Sequence, residues 1–362
     1  MAPLRLRASL ILAASFLACG GSTTTETVRD SGPPRGDAGH GERPDSHLAT
    51  SDDTGPPAPD AGMDASIPMG PGVLLFAGYG EAPLNDTWLF TGSAWNEIDD
   101  GDGTHPAPSI RSDQSMIGFD GKVLLFGGEG LGPELGDTWV WDGKWTELTI
   151  PGPSPREGGA VGVLNGKVIL FGGESSSGAS LADTWQWDGT SWTELQVTGP
   201  TNRLGASMAA LGDQLVLFGS IFDTATWLFD GTTWTMSPAP GPTGDPDGPA
   251  DTRTFQTMAT LGDVVVLFGG EQDANHILND TWTFDGTTWT KLTIASSPPE
   301  RFHAGMTAFD GKLVLYGGAG AIPAEPGFLG DTWTFDGTTW TEVSMGGPSP
   351  RYGYTLAAWM PE

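Results

Sequence analysis

The chain has 362 residues and a formal net charge of -29, from 45 acidic against 16 basic side chains. That balance excludes a nucleic-acid backbone as partner, because such binders need basic stripes, and anionic lipid headgroups would repel it. Fifty-five glycines and 29 prolines, with only 17% charged residues, describe strands and turns rather than helices.

Residues 1–18 have the form of an export signal. Arg5 and Arg7 give a positive start, and Leu10 to Ala18 is apolar but too short to span a bilayer. The only cysteine follows at once. Phe16-Leu17-Ala18-Cys19-Gly20 resembles the lipobox of bacterial lipoproteins, with phenylalanine where that box usually has leucine. The resemblance implies acylation of Cys19, a lipid anchor as the only membrane contact, and, with Gly20 rather than aspartate next, passage to the outer membrane or cell surface. Residues 19–69 hold almost no large apolar side chain, so they are expected as a flexible tether carrying the incidental His40 and His47.

From residue 70 the chain repeats. A strand-forming run ends in an aromatic (Phe76, Phe126, Phe171, Phe218, Phe268 and Tyr316) followed in most copies by two glycines. A first tryptophan comes next, at Trp88, Trp139, Trp185, Trp227, Trp282 and Trp333. A tight turn then leads to a second, at Trp95, Trp145, Trp192, Trp234, Trp289 and Trp340. Copies lie roughly 42 to 55 residues apart, the spacing of propeller blades or paired-helix repeats. The glycines, the Asp-Gly turns and the β-branched residues select strands. In the second copy the strands fall at Ser115–Phe119, Val123–Gly127, Thr138–Trp141 and Trp145–Leu148, with Asp120-Gly121 and Asp142-Gly143 as hairpin turns. The first copy lacks its initial strand, and RYGYTLAAW at residues 351–359 supplies it, closing the ring without an open sheet edge. The tryptophans read as scaffold.

The double glycine, the Asp-Thr-Trp triplet, the later tryptophan and an arginine before the first strand resemble kelch repeats over residues 72–359. The resemblance implies an all-β, six-bladed kelch-type β-propeller over residues 70–362, with four antiparallel strands per blade. Gly219-Ser220, Ala225-Thr226 and Ala77-Gly78 depart from the pattern.

The short turns gather on one face, and the variable loops on the other. That loop face, including residues 129–136, 174–182, 238–250 and 319–330, is where binding is expected. Arg111, Arg156, Arg203, Arg253, Arg301 and Arg351 start the blades in one register, and Glu129, Glu174 and Glu271 follow the glycines. Two readings stand. The arginines line a central pocket that takes a carboxylate or acidic sugar, or they pair with Asp86, Asp137, Asp183, Asp280 and Asp331, a partner missing in the blade of Arg203. Two residues after the arginines come Asp113, Gly158, Gly205, Phe255, His303 and Gly353, so the single histidine makes no metal cluster. No cofactor is expected. Asp99, Asp100 and Asp102, and Asp245 with Asp247, offer oxygen ligands for calcium without the spacing of a calcium loop. The copper-radical chemistry of galactose-oxidase-like relatives needs a cysteine in the propeller, and there is none. The expected function is a monomeric, envelope-tethered module binding a protein or glycan. The alternative is a carbohydrate-active kelch enzyme, such as a sialic-acid-type mutarotase or lyase.

Overall fold

The computed structural model describes residues 70–220, 224–242, 252–273, 276–322, 325–343 and 346–361. The expected signal segment, Cys19, the expected tether, Asp245 and Asp247 lie outside the described residues. Within them are six four-stranded antiparallel sheets, one per repeat, and no helix.

Blade 2 shows how the sequence builds each sheet. Ser115–Phe119, Lys122–Glu129, Glu134–Trp141 and Trp145–Leu148 pair in chain order from the axis outward. Asp120 and Gly121 at the first hairpin both have positive φ, 49° and 69°, the type I′ geometry that matches strand twist. At the second hairpin of blade 3, Asp188 accepts hydrogen bonds from the Thr190 and Ser191 amides at 2.8 Å, fixing the turn before Trp192. The second strand of each blade is covered on both faces. Val73 to Phe76 and Val265 to Phe268 are at most 1% exposed, which explains their unbroken apolar runs.

Blade 1 is completed from the carboxyl end, as expected. Leu356–Trp359 pairs with Gly72–Tyr79, from Gly72 opposite Trp359 to Leu75 opposite Leu356. The innermost strands then follow one another around a closed ring, with Leu356–Trp359 between those of blades 6 and 2. They line a central channel of about 510 Å³ built of neutral residues, mostly small ones and methionines, with Asp120 and Lys122 the only charges, at its turn-face end.

Neighbouring blades are joined by three repeated contacts. The amide after the first glycine donates to the next blade's arginine carbonyl at all six interfaces, from Gly78 to Arg111 O (3.0 Å) round to Gly318 to Arg351 O (2.9 Å). Glycine is required at the tightest of these joints: at φ 65° and 108°, Cβ atoms on Gly127 and Gly128 would lie 2.6 and 2.7 Å from backbone oxygens, while Ala77 in blade 1 and Ser220 in blade 4 are accommodated. Each second tryptophan donates its indole N–H to a threonine of the preceding blade, as Trp192 does to Thr138 Oγ1 at 3.1 Å and Trp95 to Thr332 Oγ1 at 3.0 Å. The same indole packs on the preceding blade's strand-end aromatic, for example Phe126 against Trp192 with centroids 5.5 Å apart.

Two loop expectations are corrected, the first at residues 129–136, where Glu129 pairs with Glu134 and only residues 130–133 remain a loop. Residues 319–330 are largely an extended hairpin, because Lys312–Ile322 and Glu325–Phe335 stay paired outward to Ile322 opposite Glu325. A smaller hairpin, Glu271–Asp273 with His276–Ile277, lies beside blade 5.

Candidate functional site

The arginine series occupies one equivalent position per blade, and all six side chains are at most 1% exposed. Arg111 uses every donor it has. Its Nε bonds Ser109 O at 3.0 Å, Nη1 bonds Gly127 O at 2.9 Å and Asp137 Oδ1 at 2.7 Å, and Nη2 bonds Asp137 Oδ2 at 2.7 Å and Ser109 Oγ at 3.1 Å. Arg156 with Asp183 and Arg351 with Asp86 repeat the set. Arg253 grips Asp280 and Arg301 grips Asp331 through the same two-pronged contact. Arg203, in the blade lacking that aspartate, bonds Gly219 O at 3.1 Å. The same aspartates take the first tryptophan's indole N–H, as Asp137 does from Trp139 at 2.7 Å. Burial, the largest single effect, would raise the Asp137, Asp183, Asp280 and Asp331 carboxyls. The arginine hydrogen bonds and charge together outweigh it and hold all four below the usual range. The pocket reading of the six arginines is thereby corrected. A buried guanidinium clamped by carbonyls and a carboxylate has no fork to present to an incoming anion.

One residue further along, the symmetry ends. The residue after the arginine and the residue after the glycines exchange both backbone hydrogen bonds, forming a rim on the loop face. The pairs are Ser112 with Glu129, Glu157 with Glu174, Thr254 with Glu271, Phe302 with Ala319, and Tyr352 with Tyr79. Inside this rim lies a collar of left-handed residues: Asp113, Gly158, Gly205, Phe255, His303 and Gly353, with φ between 51° and 69°. The collar is tied across blades, with the Asp113 amide donating to Gly353 O (2.6 Å), Gly158 to Asp113 O (2.8 Å), and His303 to Phe255 O (3.0 Å). Three collar positions are glycine. The other three hold side chains in a backbone conformation that costs a β-carbon residue energy, a pattern found where function requires it.

Those side chains divide the mouth into two sectors. On blades 2 and 3, carboxylate oxygens of Asp113, Glu129 and Glu157 lie within 4.8 Å of one another. Burial, then Asp113, Glu129, Glu134 and Glu174, push the Glu157 carboxyl up to about 9. On blades 5, 6 and 1 the lining is aromatic. His303 stacks on Phe255 at 3.8 Å and 21°, and meets Phe302 at 5.5 Å and Tyr352 at 5.8 Å. Tyr352 stacks on Phe328 at 5.2 Å, and Tyr79 stands 5.7 Å from Tyr352. The sectors meet where His303 Nδ1 lies 3.0 Å from Asp113 Oδ1. The Tyr352 hydroxyl is held up by burial, then by Asp113, Tyr79 and Glu129.

A family model described as the KLHDC2/KLHL20/DRC7 Kelch-repeats domain matches residues 45–220 and again residues 221–361. The chain belongs to this kelch-repeat family. Among curated proteins none matches the sequence.

In this kelch propeller, Glu129, Glu174 and Glu271 stand on the loop-face rim. Glu129 joins Asp113 and Glu157, and Glu174 pairs through its backbone with Glu157. Glu271 is separate, raised by burial, with nearby His303 opposing the shift and Asp273 adding to it. The calcium candidates Asp99, Asp100 and Asp102 already accept amide hydrogen bonds, from Gly101, Asp102 and Thr104 at 2.8–3.0 Å. Sequence reasoning passed over Glu157, Phe302, Tyr352, Tyr79 and Phe328. Their signal was positional: each of the first three directly follows a periodic arginine.

Proposed function

We propose that this kelch propeller is a non-catalytic interaction module, tethered to the cell envelope through Cys19, that docks a partner on its loop face. The observation carrying this is the mouth itself: a rim and collar whose half-buried acids and aromatics vary from blade to blade, set on an otherwise repeating scaffold. A protein partner suits the combination of aromatic area and charge, and the family match to a kelch-repeat domain agrees with an interaction role. The carbohydrate-active alternative loses the anion-holding arginines on which it was built. The amino-terminal sequence supports export, acylation at Cys19 and a tether to about residue 69, with outer-membrane or surface placement.

Photo-crosslinking tests the docking face. A photoreactive residue at Leu131, 61% exposed in the blade 2 loop, is expected to capture a partner in envelopes. One at Thr287, on the opposite turn face, is expected to capture none. Capture from Thr287 alone would sink the loop-face reading. Metabolic labelling with a fatty-acid analogue tests the anchor, and loss of label in Cys19→Ser is the expected result.

A further inference from the structure

Basic side chains are scarce around the mouth of the propeller. Beyond residue 69 the only arginines and lysines are the six buried arginines and Lys122, Lys144, Lys167, Lys291 and Lys312. Lys122, Lys167 and Lys312 open second strands just after the hairpin turns, and Lys144 sits in a turn on that same face. Lys291, on the outermost strand of blade 5, lies 3.2 Å from Asp280. The loop-face mouth therefore gathers Asp113, Glu129, Glu134, Glu157 and Glu174 with His303 as its one basic group, itself on Asp113. Facing these acids is a contiguous aromatic wall of Phe302, Tyr352, Phe328 and Tyr79 around His303.

We infer, resting on the loop-face reading, that the partner inserts a cationic side chain, a lysine or arginine of a basic segment, between the aromatic wall and the carboxylates. Three features fit that occupant. Aromatic faces attract a cation placed over them, and most strongly where water is partly excluded. Carboxyl groups crowded within 4.8 Å repel one another when ionised, and a guanidinium or ammonium between them relieves that repulsion while donating hydrogen bonds to their oxygens. The excess of acid at the mouth, where His303 is the one basic group, draws a basic segment toward contact. A neutral glycan would stack on the same rings but would leave the carboxylates crowded.

The test uses the purified full chain and a fluorescein-labelled peptide of alternating glycine and arginine. Its twin replaces arginine by citrulline, which keeps the shape and removes the charge. Binding is followed by anisotropy near physiological ionic strength. The arginine peptide is expected to bind at least about tenfold more tightly than the twin. Glu129→Gln with Glu157→Gln is expected to weaken it about tenfold. Glu147→Gln with Glu194→Gln, removing at least as much charge from exposed outer-strand positions, is expected to leave it within about twofold. Phe302→Leu, which keeps apolar bulk and removes the π face, is expected to weaken it about threefold. Equal weakening by both double variants overturns the proposal, because general acidity then explains binding. Equal binding of the citrulline twin overturns it too, while loop-face docking stands on the Leu131 crosslink.

Discussion

Arg156 and Glu157 are consecutive, yet they belong to different regions of the molecule. Arg156 is 1% exposed and satisfied by Ser154, Gly172 and Asp183, in a setting repeated around the ring. Glu157 is on the rim among like charges, and its counterparts are Ser112, Leu204, Thr254, Phe302 and Tyr352. Every blade must join its neighbour, so the arginine position is constrained six times over. The next position faces the mouth, where the scaffold dictates less of the residue, although Thr254 there still donates its hydroxyl to Leu204 O at 3.2 Å. Periodicity thus marks the joints of this propeller, and the break in periodicity marks its surface for recognition.

The largest effect expected is at the ring's closure. A chain ending at residue 350 loses both the strand Leu356–Trp359 and the Arg351–Asp86 pair, and is expected to show no cooperative thermal transition. Retention of the full-length melting midpoint would falsify the closure. Next comes the arginine ring. Asp331→Ala strands the buried Arg301 charge and should cost about 3–5 kcal/mol in denaturant unfolding, whereas Glu174→Gln on the rim should stay within about 0.5 kcal/mol. A comparable loss in both would erase the distinction between ring and rim. Thr138→Val leaves the Trp192 indole N–H without its acceptor, and about 1–3 kcal/mol is expected from the same measurement.

The two regions also titrate in opposite senses. The ring aspartates are held below their unfolded values, so their stabilisation is present above the unfolded pKa and fades as pH falls through the folded one. Glu157 is raised to about 9, so the folded chain keeps a proton that the unfolded chain releases above its ordinary value. Its contribution is complete at acid pH and declines as pH rises toward about 9. Glu157→Gln should therefore raise the melting midpoint increasingly between about pH 5 and pH 9, with the gain vanishing near pH 4. A gain that is constant with pH would separate the effect from titration.

Much of the architecture was legible because it rests on local chemistry repeated in register. Asp120-Gly121 specifies its turn within two residues, the Val265–Phe268 run specifies a strand covered on both faces, and RYGYTLAAW specifies what the first copy lacks. Residues 319–330 were read as irregular because glycine, proline and alanine carry little strand signal. Pairing between Gly320 and Gly327 is dictated by the hairpin already formed below them. The mouth was harder still. Tyr79, Phe328 and Tyr352 touch one another only after the ring closes, as do His303 and Asp113, and no spacing announces such contacts.

By itself the sequence determined the strands, the turns, six blades and the blade completed from the carboxyl end, since each follows from a residue pattern within one repeat or between its copies. It also placed the arginines and aspartates in matching registers. Only the tertiary structure decided between pocket and pair, because that depends on which way a guanidinium points once neighbouring blades pack. The same packing brought acids from blades 2 and 3 to face aromatics from blades 6 and 1. Ring closure sets residues far apart in the chain around one axis, and that closure turns unremarkable single residues into a recognition surface.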